Sequence, residues 1–289
     1  MIGLAVCRSD GKPAVMLYDG AAGTVARTSI PFASIANCAS DLGSPGFDLE
    51  SCRTGDWQEE STQRFLPPVD PTAKVLCVAQ NFSSHAREVG GEESPPSPVI
   101  FLKPFTAFVG HRDDTLLPEA STFFDYEAEL VAVLGRSVWQ AGVEEAAESV
   151  AAYTIANDGT ARDLQPIDIG GRQIVDWFSA KSIDHSSALG PALFPAHRMP
   201  PLDHVQIRCF LNDSLVQEDA ASSMTRSPAE LISHVSRLVR LNPGDMILTG
   251  TPAGVGKARG RRLESDDALR VVIDPLGALE TRMVSAPRS

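Results

Sequence analysis

The segment Phe124-Asp125-Tyr126-Glu127-Ala128-Glu129-Leu130-Val131-Ala132-Val133-Leu134-Gly135 constrains this chain more than any other. Its second half is an unbroken apolar run, with the length and character of a strand buried on both faces. Side chains alternate across a strand, so Glu127 and Glu129 share one face, and Val131 and Val133 continue that face into the core. Two carboxylates side by side repel each other unless a cation lies between them or water screens them. A solvated strand face is the ordinary alternative, and the apolar continuation shifts the balance toward a shared cation.

A third carboxylate follows the next apolar strand, Val150-Ala151-Ala152-Tyr153-Thr154-Ile155-Ala156, which runs into Asn157-Asp158-Gly159-Thr160-Ala161-Arg162-Asp163. Asp158 sits at a strand end, where an aspartate also serves as a turn or cap residue. Taken with Glu127 and Glu129 it completes an oxygen-only ligand set, without Cys or His. Such a set suits Mg2+ or Mn2+, with Ca2+ also compatible, and disfavours zinc.

Three further clusters carry chemical side chains. On a helix over 83–89, His85 and Glu88 lie three apart and face each other. A carboxylate that orients an imidazole makes a general base, and a surface ion pair has the same spacing. The polar, Gly- and Pro-rich stretch to Pro98 reads as a mobile loop, so residues 83–97 form a candidate lid. Lys181 lies in Trp177-Phe178-Ser179-Ala180-Lys181 and requires an acidic partner. The passage Thr249-Gly250-Thr251-Pro252-Ala253-Gly254-Val255-Gly256-Lys257 looks like a phosphate loop, but Thr251 replaces the first glycine and Ala258 follows the lysine. Its glycines instead let backbone and the Thr249 or Thr251 hydroxyl approach a small ligand. The remaining histidines, His111, His185, His197, His204 and His234, show no ligand-like spacing.

Organisation and charge narrow the class. Residues 1–66 read as a small, mainly β unit, with a hairpin signal at Ala14–Tyr18 and Asp19-Gly20. The proline-rich passage from Leu66 to Pro71 leads into a larger unit, 67–289. There, strands are expected at 75–79, 99–102, 125–134, 150–156, 205–211, 245–249 and 269–274. Helices are expected at 83–89, 143–149, 160–165 and 228–240. The last has Ser227 to cap it, Pro228 in its first turn and Glu230 to close a capping box. Without a βαβ rhythm, the class is α+β with a mixed sheet. A net charge of −12 speaks against nucleic acid and anionic membranes as partners. A small anionic substrate would need local cations or a metal. No apolar run reaches the ~20 residues of a membrane span. The first residues lack the order of a signal peptide, and the five scattered cysteines suit reduced thiols, so a cytoplasmic location is expected.

Taken together these clusters resemble the fumarylacetoacetate hydrolase superfamily. The resemblance rests on Asn81-Phe82-Ser83-Ser84-His85-Ala86-Arg87-Glu88, Phe101-Leu102-Lys103-Pro104, Asp125 to Leu130, Asn157 to Asp163, Lys181-Ser182-Ile183-Asp184 and Thr249 to Gly256, over about residues 73–285. It implies a mixed β-roll or β-sandwich catalytic domain, preceded by a small β domain and assembled as a homodimer. It matches Glu127, Glu129 and Asp158 to metal ligands, His85 and Glu88 to a lid-borne catalytic pair, and Lys181 to a lysine beside the metal. Arg162, Gln165 and Thr251 are expected to line the substrate pocket. Arg226, which departs from the common pattern, is expected near that pocket. The activity implied is metal-dependent hydrolysis of a C–C bond in an acylpyruvate or other 1,3-dioxo carboxylate. A decarboxylase or 2-oxo-acid isomerase would use the same metal and enolate without water attack. A non-catalytic keto-acid binding protein is a third possibility, and the His85–Glu88 pair speaks against it.

Overall fold

The computed structural model of the chain describes residues 1–44, 46–88, 90 and 95–285. Among these residues the backbone forms one twelve-stranded sheet and one five-stranded sheet, with two small two-stranded ribbons. The large sheet orders its main strands as 58–59, 24–27, 12–19, 2–9, 187–195, 150–157, 128–134, 246–248, 75–79 and 99–102. Most neighbours are antiparallel, but Met246–Leu248 runs parallel to Val75–Ala79, so the sheet is mixed. The second sheet stacks Ser214–Ala220, Gln206–Leu211, Ala268–Ile273, Gly277–Ser285 and Asp114–Leu117.

Alternation across the strands explains the layers. In Ile2–Ser9, Ala5 and Cys7 face the second sheet and pack in one core with Ile207, Cys209, Val271 and Met283. Leu4 and Val6 face the other way, into a core with Val131, Val133 and the helix Ile35–Leu42. A third cluster packs Leu76, Val78 and Ile247 under the helices Val143–Ser149 and Pro228–Ser236. Both faces of Ala128–Leu134 are therefore covered, and every residue in it is buried. That accounts for the unbroken apolar run. Strands from residues 1–66 join the large sheet itself: Ile2–Ser9 pairs with Ser187–Pro195 in register Leu4↔Leu193.

Most expected elements form, and the exceptions have physical causes. Residues 160–165 are not a helix. Thr160–Ala161 pairs with Phe124–Asp125, and a turn follows. Asp163 accepts hydrogen bonds from the Ser121 hydroxyl at 2.5 Å and the Thr122 amide at 2.7 Å, which draws the segment into a loop. The helix expected over 228–240 ends at Ser236. The following residues turn so that Leu241 can bridge Val138, leaving Leu238 exposed. The expected strand 125–134 is interrupted at Tyr126 and Glu127. The helix near 83–89 is seen as Ser83–Glu88, and part of the expected lid, residues 89 and 91–94, lies outside the described residues. No helix is long and apolar enough to cross a membrane among the described residues. The five cysteines are free thiols.

The loop after Met246–Leu248 depends on glycine at 254. Its φ is +106°, and a Cβ there would lie 1.9 Å from the Val216 carbonyl oxygen. Gly254→Ala is expected to cost about 2–4 kcal/mol, from backbone strain plus overpacking. A denaturant titration should show the lowered midpoint at an unchanged slope.

Candidate active site

Two strands that neighbour each other in the centre of the large sheet deliver the carboxylates. Glu129 lies on Ala128–Leu134, which pairs with Val150–Asn157 in register Glu129↔Ala156 and Ala128↔Asn157. Asp158 leaves the end of the second strand, where its amide donates to the Glu127 carbonyl at 2.8 Å. The Asn157 amide oxygen accepts from the Glu127 N–H at 3.0 Å, fixing the bend before the strand. Gly159 allows the turn past Asp158, because a Cβ there would meet the Ser186 carbonyl oxygen at 2.1 Å. As a result Glu127, Glu129 and Asp158 each place a carboxylate oxygen within 4.8 Å of the other two, and all three are buried.

Cations converge on this group unevenly. The Lys181 ammonium donates to Glu127 at 2.8 Å and to Asp158 at 2.6 Å. Lys103, also buried, lies 2.9 Å from the second Asp158 oxygen and donates to the Lys181 carbonyl at 2.7 Å and the Ser187 hydroxyl at 2.8 Å. Arg162 reaches Glu127 at 2.6 Å and Asp125 at 2.7 Å. Glu129 has no ion pair among the described residues and accepts only the Gly250 N–H, at 2.7 Å. The titration behaviour follows. Burial disfavours the Glu127 charge, but Lys181, Arg162 and His85 outweigh it and hold its carboxyl below the ordinary range. Burial, Asp158 and Glu127 together push Glu129 well above that range. Burial opposes the Lys181 charge, yet Asp158 and Glu127 hold it above the usual lysine value. A divalent cation touching all three carboxylates would remove the repulsion that isolates Glu129, and the all-oxygen donor set suits Mg2+ or Mn2+.

Glu127, Asp158, Arg162 and Lys181 form the floor of a cavity of about 390 Å³, with Glu129 buried beside them. His85, Arg162, Gln165, Lys181 and Thr251 line it. Glu88 stands behind His85: one oxygen lies 3.3 Å from His85 Nδ1, and the other accepts the Gly254 N–H at 2.8 Å. Burial disfavours its charge, but His85 and the Gly254 amide hold its carboxyl below the usual value. Thr251 accepts from Gln217 at 2.8 Å, which leaves its own hydroxyl proton free to point into the cavity. Trp177 forms part of the wall, stacked on Phe101 with centroids 4.5 Å apart and planes 3° apart.

Three residues take places that sequence reasoning did not assign. Lys103 was part of the matching stretch Phe101–Pro104 but was given no role. Asp125 holds Arg162 and accepts the Gly256 and Lys257 amides at 2.7 and 3.0 Å, tying that loop to the carboxylates. Lys257, dismissed with the phosphate-loop reading, lines the cavity. Arg226, expected near the pocket, instead donates to the Pro95 and Pro96 carbonyls at 2.6 and 2.9 Å and is no part of the cavity wall. A second group, Glu60, His111 and Glu280, also clusters closely enough to hold an ion. His111 Nδ1 accepts the Glu280 N–H at 3.1 Å, so Nε2 carries the proton and cannot ligate, while Arg112 joins both glutamates at 3.2 and 3.4 Å.

A family described as the fumarylacetoacetate (FAA) hydrolase C-terminal domain matches residues 74–284. The chain belongs to that family. A mitochondrial oxaloacetate tautomerase of Bos taurus is 37% identical over 222 residues, covering 76% of this chain and 69% of the relative. A fumarylacetoacetate hydrolase from Exiguobacterium antarcticum superposes with a TM-score of 0.82 at 26% identity, covering 99% of this chain and 100% of that one. A fumarylpyruvate hydrolase from Pseudomonas aeruginosa, solved with Mn2+ and pyruvate, gives a TM-score of 0.67 at 32% identity, over 76% and 91% of the two chains. The α+β mixed-sheet fold expected from the sequence is thus that of the family.

The isolation of Glu129 yields a test. In EDTA, Glu129→Gln is expected to melt at or above the wild-type temperature, since a carboxyl whose ionisation is opposed by burial and by Asp158 and Glu127 gives way to a neutral amide that keeps the Gly250 bond. Excess Mg2+ should stabilise the wild type by about 2.7 kcal/mol at a hundredfold excess over Kd, and the variant far less. Calorimetry with and without metal checks both. A variant that melts well below wild type in EDTA would contradict the repulsion argument.

Proposed function

We propose that this chain is a divalent-metal-dependent enzyme that interconverts the keto and enol forms of a small 2-oxo carboxylate. The tautomerase activity in the name of its Bos taurus relative makes oxaloacetate the first substrate to try. The carrying observation is the placement of His85. It is the one histidine on the cavity wall among the described residues, close enough for its charge to bear on Glu127, with Glu88 holding its far nitrogen. Keto–enol interconversion needs one positioned group to take a proton from carbon and return it to oxygen, and an imidazole, which both accepts and donates a proton, can do both.

The chain's residues divide the work as follows. Glu127, Glu129 and Asp158 would hold Mg2+ or Mn2+, which supplies Lewis acidity toward the 2-oxo and carboxylate oxygens of the substrate. Lys181 fixes Glu127 and Asp158 in place and offers positive charge where the enolate oxygen develops. His85 moves the proton at C3. Glu88, anchored by the Gly254 amide, sets the imidazole's tautomer and angle. The Thr251 hydroxyl and the Gln165 amide hold the substrate in the cavity, while Arg162, turned toward Asp125 and Glu127, shapes the site from the side. A homodimer is the proposed working assembly, supported by the exposed apolar side chains Leu102, Ile169, Val175 and Phe178.

A second reading, hydrolysis of an acylpyruvate, was the first expectation from the sequence. It is supported by the same His85–Glu88 pair, now activating water, and by the likeness to the fumarylpyruvate hydrolase. The two activities separate on one preparation. With saturating Mg2+, the wild type should accelerate the relaxation of oxaloacetate between its keto and enol forms, read in the ultraviolet. His85→Ala should lose ~10²–10⁴-fold of that rate, with Mg2+ affinity retained because His85 is not a ligand. A wild type that leaves the relaxation at its buffer rate but cleaves an acylpyruvate would replace the tautomerase reading with the hydrolase.

A further inference from the structure

Every cation at the floor of the cavity is consumed. Lys181 donates to Glu127 and Asp158, Arg162 is shared between Glu127 and Asp125, and Lys103, buried next to the floor, pairs with Asp158. Lys257 differs. Its side chain lines the same cavity, it is exposed, and its ammonium has no carboxylate partner among the described residues. Its position is nevertheless fixed at the root. Asp125 accepts the backbone N–H groups of Gly256 and Lys257, and Gly256 packs close against the Arg261 carbonyl oxygen, which a Cβ there would meet at 2.2 Å. A flexible four-carbon stem on a fixed backbone lets the ammonium swing over the cavity mouth.

We propose that Lys257 is a specificity residue that binds a second anionic group of the substrate, selecting 2-oxo dicarboxylates over 2-oxo monocarboxylates. The inference rests on the reading of the floor as the site that binds the 2-oxo acid head. Charge balance points the same way. Asp125, Glu127, Glu129 and Asp158 are set against Lys103, Arg162 and Lys181. A divalent ion leaves this group with one net positive charge, enough for a monoanion. Lys257 brings the whole to two, which a dicarboxylate neutralises. The two carboxylates on the cavity wall, Glu127 and Asp158, are already paired with Arg162, Lys181 and Lys103, and the wall is otherwise largely apolar through Val78, Val99, Phe101, Val175 and Trp177. A charge-assisted hydrogen bond of this kind corresponds to about a 10–100-fold preference.

The test uses the Mg2+-loaded protein and the unreactive pair malate and lactate, which share a 2-hydroxy acid head and differ in the second carboxylate. By calorimetry, the wild type should bind malate about 10–100-fold more tightly than lactate. Lys257→Met should bring the ratio close to one by weakening malate alone, and Lys257→Arg should restore most of it. In turnover of oxaloacetate, Lys257→Met should raise KM by a similar factor and change kcat little. A wild type without preference for malate, or a Lys257→Met protein that keeps it, overturns the proposal. If the wild type fails to turn over oxaloacetate but shows a malate preference that Lys257→Met abolishes, the tautomerase reading falls and the role of Lys257 stands.

Discussion

The structure turns on one unfavourable arrangement: three carboxylates buried in close contact at the middle of a sheet covered on both faces. Burying ionised groups is expensive, and like charges add to the cost. The chain offsets it from three separate segments. Lys103 enters from the end of Val99–Leu102, Arg162 from the turn after Thr160–Ala161, and Lys181 from the helix Trp177–Lys181. None of these cations pairs with Glu129. One corner of the cluster is left short of positive charge, which is the condition for a metal-binding position in a closed, preshaped pocket.

The loop that follows Met246–Leu248 is knitted to this cluster by contacts unrelated to its own regularity. Gly250 donates to Glu129, Gly254 to Glu88, and Gly256 with Lys257 to Asp125. Gln217 reaches across from the second sheet to Thr251 and to the Pro252 carbonyl, and also accepts the Ala128 N–H. Carboxylates on rigid strands thus organise a glycine-rich loop through its amides. The loop in turn brings His85, through Glu88, and the rim of the cavity into register with the three carboxylates. A change in any one of Asp125, Glu88 or Gln217 would be felt at several places at once, because each joins two elements.

Much of this was legible in the sequence. The alternation in Glu127–Val133 placed two carboxylates on one inward face. The His85–Glu88 spacing survived, since helix geometry is local. The capping signals at Ser227, Pro228 and Glu230 produced the capping box found at the head of that helix. What remained hidden depends on distant contacts. The stretch 160–165 carries helix-like residues, yet Asp163 is captured by Ser121 and Thr122, some forty positions earlier in the chain, and no local pattern encodes that. Lys103 gained its place only because Gly159, Lys181 and Ser187 close around it. Arg226 was expected near the pocket because it departs from the family's common pattern there. Asn81 binds its backbone on both sides, and the side chain then leaves toward Pro95 and Pro96.

The stacking of Trp177 on Phe101 has a practical consequence. The chain holds three tryptophans; Trp57 and Trp139 are exposed at 37% and 41%, while Trp177 forms the cavity wall. Two indoles report bulk water, and one reports the interior of the pocket. Emission shifted to the blue and quenchable by a small anion would come from Trp177 alone, so the protein carries its own optical indicator of occupancy and needs no label to follow ligand entry in real time.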